Sequence, residues 1–279
     1  MGLNSFSHYE KDITYASVEC IKQVLKSSNI DPLSVDALVY ATNTIKHTEP
    51  HLDVLRCAMY DLGLRDTYPY GVSFSGCGNL NSAMRIATSL ISAGHHSNVV
   101  LVAVDIASDS YSTKGSRIYS NNVSIFSDGA AACLVTKDIG GETNNRFRIL
   151  CAEQVSDSRM VEYGRESNFT EAMSCSTQGI VEASRRALRQ ANIGCNDIRA
   201  LITNNYNTSV TCLFSMAIGL SESKVFSGNL GRYGHVYSAD GLINLASFAK
   251  TAPLRVGDKI MMLGSGPSTW SVSILAYGD

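Results

Sequence analysis

The sequence predicts an α/β protein built from two similar halves, and three observations lead there. Apolar residues alternate between a helical period and short strand-like runs along the whole 279-residue chain. The order of strand and helix in the first half returns in the second. The segment SNIDPLSVDALVYATNT at 28–44 also echoes ANIGCNDIRALITNNYNT at 191–208, each reading as a helix exit, a short loop and a buried strand. Strands separated by helices need crossover connections and so favour largely parallel sheets packed in layers. Two such halves imply a duplicated fold with a site where they meet; the alternative is chance likeness between two ordinary βα units.

Each element follows from local pattern. In residues 13–28, Ile13, Val18, Ile21, Val24 and Leu25 fall near one helical face. DALVYATNT at 36–44 reads as a buried strand, 51–63 as a helix and Gly71–Ser75 as a short strand. A helix over Asn79–Ala93 ends at Gly94, and NVVLVAVD at 98–105 is the clearest buried strand. Ala130–Thr136 is a further strand, and GGETNN at 140–145 a turn-rich break. The second half continues with strand Phe147–Val155, helix Thr177–Ala191, strand Ile198–Asn204 and a helix at 209–219. A strand near 224–230, a helix at 238–250 and strands at 258–263 and 271–277 complete it. The halves divide as 1–143 and 144–279.

Composition excludes several classes of function. The chain is 44% hydrophobic and 17% charged, with a formal net charge of −2, and its mean hydropathy is 0.00. Phosphate binding needs a clustered basic surface, so neither nucleic acid nor an acidic membrane is an expected partner. No run approaches the roughly 18 apolar residues of a membrane span, and MGLNSFSH at the start lacks the regions of a signal peptide. Eight cysteines at 20, 57, 77, 133, 151, 175, 195 and 212 form no CxxC pair and no zinc-like spacing. Most sit in apolar runs, as free buried thiols do in a reducing compartment. Neither GxxxxGK[ST] nor a strand-to-helix GxGxxG is present. The expectation is a soluble cytoplasmic protein with no metal and no cofactor.

One cysteine stands apart. GVSFSGCGNLNSAMRIATSLISAG at 71–94 reads as strand, sharp turn and helix, with Cys77 at the turn. There the positive end of the helix dipole favours a thiolate, and Gly76 and Gly78 allow close approach by a substrate. Such a thiolate suits acyl transfer through a thioester, whereas the bland alternative is a small thiol filling a helix–sheet contact. Of six histidines, His95 and His96 lie at a helix exit and His8, His47 and His51 in polar loops. His235, in NLGRYGHVYSADGLINLA at 229–246, follows a strand and precedes a helix, the address in the second half that Cys77 has in the first. It is the candidate proton-transfer partner, against the reading of an exposed loop histidine. Asn204, with Asn205 and Asn207 in TNNYN, could orient an imidazole or donate to a carbonyl, although asparagines also crowd ordinary turns. LGSGPSTW at 263–270 either offers backbone N–H groups as an oxyanion site or is a plain hairpin turn.

These residues resemble the thiolase superfamily, and most of all its ketoacyl-ACP synthase III branch. The likeness runs through SFSGCGNLNSAMRIATSLISAG, NVVLVAVDIAS, FSDGAAACLV, ALITNNYN, LGRYGHVYSADG and LGSGPSTW, and so covers nearly the whole chain. It implies a duplicated α/β/α/β/α five-layer fold, homodimers or related heterodimers, and acyl transfer from coenzyme A or carrier-protein thioesters to a small-molecule or carrier-bound acceptor. By the match Cys77 is the acylated nucleophile, and the backbone N–H groups of Cys77 and Gly266 form the oxyanion hole. Two departures from the family pattern matter. The family's usual histidine falls on Asn204 and its usual asparagine on His235, an exchange similar to true thiolases and to acyltransferases of specialised metabolism. Asp240 then either supports His235 or caps the following helix. The family also carries some forty to fifty residues before the first helix, with an edge strand and a nucleotide clamp; their absence here favours a carrier-protein donor. The expected activity is cysteine-dependent acyl transfer or condensation through acyl-Cys77. The alternatives are a decarboxylating synthase of fatty-acid initiation and a non-catalytic partner subunit of a heterodimer.

Overall fold

The computed structural model describes Ser5, Ser7 and residues 13–44, 50–107, 124–137, 146–165 and 168–278. The turn-rich break at 140–145 and the loop residues His8 and His47 lie outside them. In the first half come helix α1 (Ile13–Ser28), strand β1 (Ala37–Ala41), helix α2 (Pro50–Asp61), strand β2 (Tyr68–Val72), helix α3 (Asn79–Ser92) and strands β3 (Asn98–Asp105) and β4 (Gly129–Thr136). The second contains β5 (Phe147–Ser156), α4 (Arg159–Arg165), α5 (Phe169–Ala191), β6 (Ile198–Thr203), α6 (Thr208–Ile218), β7 (Val225–Phe226), α7 (Leu230–Tyr233), α8 (Asp240–Thr251), β8 (Lys259–Ser265) and β9 (Thr269–Tyr277).

Two mixed sheets result, ordered β2-β1-β3-β4 and β5-β9-β8-β6-β7. β1 runs parallel to β2 and β3, while β4 returns antiparallel to β3. Likewise β6 runs parallel to β7 and β8, and β9 returns antiparallel to β8. The second sheet then adds β5 antiparallel to β9. Among the described residues β4 has no such outer neighbour, and it is half-buried along its length where β9 is almost wholly buried.

Strand alternation builds the layers. Val39, Leu101 and Ala103 of the first sheet and Ile202, Ile260 and Met262 of the second face a shared core filled by α3 and α8. Leu38, Val100 and Val102 turn instead toward α1 and α2, through Ile21, Leu25 and Met59. Leu201, Met261 and Ile274 turn toward α5 and α6, through Ile180, Ala183 and Phe214. Helix, sheet, paired helices, sheet, helix is the five-layer order that the resemblance to the thiolase superfamily implies. A Cβ at Gly179 would sit 2.0 Å from a ring atom of Trp270, so α5 needs glycine to pack on that buried indole.

The two echoing segments follow the same local course. α1 ends at Asn29 (φ 50°) and α5 at Asn192 (φ 53°), both left-handed, a conformation asparagine tolerates. A single helical turn follows each, over Pro32–Ser34 and Cys195–Asp197, and then β1 or β6 begins.

Some expectations need correction. β2 begins at Tyr68 and its last residue is Val72, before the span expected; Pro69, which lacks an N–H, sits in it because the strand lies at a sheet edge. α5 starts at Phe169, eight residues earlier than its apolar pattern, with Asn168 accepting the N–H of Glu171 as its N-cap. β7 has only two residues, and α7 intervenes before His235. All eight cysteines are free, but only Cys151 and Cys175 are buried and Cys57 is exposed. No described helix is long and apolar enough to cross a membrane.

Candidate active site

The chain leaves β2 and turns sharply over Ser75–Gly78 into α3. Gly76 has φ +55°, and a Cβ there would meet Cα of Gly266 at 2.9 Å, so two backbones touch where no side chain fits. Buried Asn79 staples the turn: its Oδ1 accepts the N–H of Ser75 at 2.8 Å, and its amide donates to the carbonyls of Thr42 (3.1 Å) and Ser73 (3.2 Å). Half-buried Cys77 is thereby held between the halves.

His235 reaches it from the second half. Its backbone N–H donates to the Ile125 carbonyl at 2.7 Å, and its carbonyl accepts the N–H of Ser127 at 2.8 Å, pinning the loop on both sides. The ring is 1% exposed, and Nε2 lies 3.1 Å from Sγ of Cys77. On the opposite edge Nδ1 meets Oδ2 of Asp240. Asp240 heads α8 without capping it by its side chain. Its carboxylate instead accepts the N–H groups of Asn205 and Val236, each at 2.8 Å, and the Asn205 amide at 3.2 Å. Asn244 holds Asn205 in turn at 2.9 Å. The carboxylate thus has a rigid setting, and it places the neutral ring's proton on Nδ1, leaving Nε2 to take a proton from sulfur.

Electrostatics reinforce this arrangement. Burial alone would lower the His235 pKa, but negative charge at Cys77 and at Asp240 outweighs it and pushes the ring up to about 10. Aromatic rings surround the imidazole: centroids of Tyr206 and Tyr237 lie at 5.1 Å and that of Phe126 at 5.5 Å. A cysteine sulfur beside an imidazole that a carboxylate fixes is an arrangement able to attack a thioester and then take a proton from a second substrate.

The other expected residues behave differently. Asn204 does not hold the imidazole: its amide donates to the backbone carbonyls of Tyr237 (2.7 Å) and Cys77 (3.3 Å), which commits both its hydrogens. The Gly266 N–H, expected in the oxyanion hole, donates to the Thr269 carbonyl at 2.8 Å and closes the hairpin. Glycine is required there because a Cβ would fall 2.3 Å from the Ser75 carbonyl oxygen. Of the site's remaining members, Phe126, Tyr206 and Tyr237 escaped the sequence reading, and Asn205 entered it only beside Asn204. Only TNNYN carried a signal for two of them, and nothing local separates Asn205 from Asn204.

The family model for 3-oxoacyl-[acyl-carrier-protein] synthase III matches residues 74–158, and its C-terminal counterpart matches 188–277. The chain belongs to this family, within the thiolase superfamily. Its members are acyltransferases and condensing enzymes. The β-ketoacyl-[acyl-carrier-protein] synthase III of Aquifex aeolicus is 24% identical over 276 residues, covering 96% of this chain and 85% of the relative. The crystal structure of the synthase III from that organism superposes with a TM-score of 0.80 at 22% identity, covering 97% of this chain and 86% of the other. ChlB3, described as an acyltransferase, gives 0.81 at 19% identity with 97% and 85% covered. The priming β-ketosynthase of the R1128 polyketide pathway gives 0.78 at 18% with 99% and 85% covered. Family membership accounts for the thiolase fold seen here.

Proposed function

We propose that the protein is a cysteine-dependent acyltransferase that carries its acyl group on Cys77 and passes it to a hydroxyl or amine acceptor. The observation that carries this reading is the Cys77–His235–Asp240 relay, with Nε2 at 3.1 Å from the sulfur and Asp240 on Nδ1. Malonyl decarboxylation leaves an enolate, which needs two neutral donors beside the cysteine. Here the amide of Asn204 is committed to backbone carbonyls, and the ring opposite Cys77 is backed by a carboxylate. A carboxylate-backed imidazole suits the other task, removing a proton from an acceptor as it attacks. His235 is the base, Asp240 its orienter, and the backbone N–H of Cys77 a donor to the oxyanion. Asn204 shapes the nucleophile turn.

The donor is an acyl thioester of coenzyme A or a carrier protein, and the setting is specialised-metabolite biosynthesis in the cytoplasm. The likeness to a priming ketosynthase of a polyketide pathway supports that setting. We take the halves 1–143 and 144–279 as duplicates that each contribute one side of the site. The outer edge of β2, with Tyr68 61% and Phe74 94% exposed, is the surface we assign to a homodimer or to a related partner subunit. The second reading, decarboxylating initiation of fatty-acid synthesis, is favoured by the synthase III relatives.

Intact-protein mass spectrometry after incubation with acyl-CoA and acyl-carrier panels tests the proposal. The acyl mass is expected on Cys77 and is expected to vanish in Cys77→Ala. Carbon dioxide release from malonyl-carrier substrate would move the decarboxylating reading to first place. An acyl group mapped to another cysteine would refute the assignment of Cys77.

A further inference from the structure

Attack by the Cys77 sulfur on a thioester builds negative charge on the carbonyl oxygen, and that oxygen needs preorganised donors. The hairpin beside Cys77 has few to give. Gly266 N–H is bound to Thr269, and Ser265 N–H faces Oδ1 of Asn204 at 3.4 Å. The Asn204 amide is committed as described. Tyr206 stands on the same wall, buried, its ring edge-on to Phe214 and 5.1 Å from the imidazole centroid. Its hydroxyl donates to the Ser265 carbonyl at 2.6 Å and lies 3.4 Å from Oδ1 of Asn204. Asn204, whose Oδ1 faces the phenol, donates its amide to the Cys77 carbonyl at 3.3 Å, so one side chain links the phenol to the nucleophile turn. Burial, and then negative charge at Cys77, hold the phenol's pKa well above its ordinary value, so it keeps its proton.

We propose that the Tyr206 hydroxyl is a catalytic residue of this site, donating a hydrogen bond to the carbonyl oxygen of the acyl group transferred at Cys77. This rests on the acyl-transfer reading above. The hydroxyl hydrogen turns about its C–O bond from the Ser265 carbonyl to the new oxyanion. As the Sγ–C bond forms, the carbonyl π pair passes to oxygen, where the Tyr206 O–H and the Cys77 N–H receive it. When that pair returns, the bond to the donor's thiol sulfur breaks, and the departing thiolate takes the proton that His235 Nε2 received from Cys77. Tyr206 keeps its own proton throughout.

Tyr206→Phe removes one oxygen atom and leaves the ring packing in place. Acylation of Cys77 by S-acyl-N-acetylcysteamine and acyl-CoA thioesters, from acetyl to octanoyl, is followed by intact mass beside alkylation by iodoacetamide. Alkylation attacks a saturated carbon and builds no oxyanion. Acylation is expected to fall about 10²–10³-fold, the scale of one lost oxyanion donor, with the alkylation rate and its pH profile unchanged. Equal acylation of wild type and variant would overturn the proposal, making Tyr206 a wall only. A parallel fall in alkylation would overturn it too, by making Tyr206 a positioning residue for the Cys77–His235 pair. If wild type alkylates but takes no acyl group from any thioester, the acyl-transfer reading itself fails, and this assignment with it.

Discussion

Asp105 in the first half and Asp240 in the second are both fully buried, and each receives the chain just after a central strand. Asp105 accepts the N–H groups of Asn43 (2.5 Å) and Thr44 (3.0 Å) after β1, and the N–H of Ser238 across the junction at 3.2 Å. Asp240 accepts the N–H of Asn205 after β6. The difference is one partner. Among the described residues the donors to Asp105 are all neutral, and burial outweighs them, raising its pKa to about 6. Asp240 gives an oxygen to His235, so charge on the carboxylate is answered by charge on the ring. One way of securing a loop is structural in one half and becomes chemical in the other when an imidazole takes one acceptor position. Ser238 also ties the two together, because Asp105 holds the turn that follows His235.

The largest expected effect separates these aspartates. His235→Ala is expected to lower turnover by about 10²–10⁴, the scale of a general base, and Asp240→Asn to approach it by losing the imidazolium's partner. Asp105→Asn is expected to stay within about tenfold of wild type, since it touches no reacting atom. Steady-state rates on one acyl donor decide this, and equal losses in the two asparagine variants would break the comparison.

Stability should depend on pH in two separate windows. The His235 pKa is raised from 6.5 to about 10, so its contribution is complete below about 6.5 and lost as pH rises through about 10. For Asp105, raised from 3.8 to about 6, the contribution is complete below about 4 and lost between about 4 and 6. Urea unfolding of wild type and Asp105→Asn across pH 4–7 should show the wild type losing about 2–3 kcal/mol relative to the variant. A flat difference would mean that Asp105 has an ordinary carboxylate pKa.

A smaller kinetic effect is expected from Asn204→Ala. It releases two carbonyls on either side of the junction, each hydrogen bond worth about 0.5–1.5 kcal/mol, and a loss of about tenfold in Cys77 acylation should appear. A loss as large as that of His235→Ala would return Asn204 to direct chemistry. The smallest effect concerns the strand edges. Val272→Ala in buried β9 should cost about 1–2 kcal/mol in thermal or urea unfolding, and Val135→Ala in half-buried β4 less than about 1. Equal costs would mean that another strand covers β4 in solution.

Much of this molecule is legible in the sequence where short-range pattern decides structure. NVVLVAVD is a strand over the residues expected, because an uninterrupted apolar run rich in valine buries both faces as a central strand. SFSGCGN forces a turn through its glycines and puts Cys77 ahead of a helix. Pattern also misplaced elements: Pro69 hid an edge strand, and a polar first turn hid the start of α5. Within the site, His235 was legible by its address, while Asn204, Asp240 and Gly266 each had two readings that local sequence left open.

By itself, then, the sequence determined the layered α/β order, the repeated helix–turn–strand course and the presence of a cysteine at a helix start. These depend on periodicity and turn chemistry within a few residues. Tertiary structure alone decided that Asp240 turns to the ring rather than to its helix, that Asn204 is spent on two carbonyls, and that Gly266 is glycine for contact with Ser75. It also brought Tyr206 to 5.1 Å from the imidazole that meets Cys77, a cysteine 129 positions away in a chain of 279 residues. The physical reason is that a hydrogen-bonding group has few partners to give, and which ones it takes is set by which backbones the packing of two sheets brings within about 3 Å.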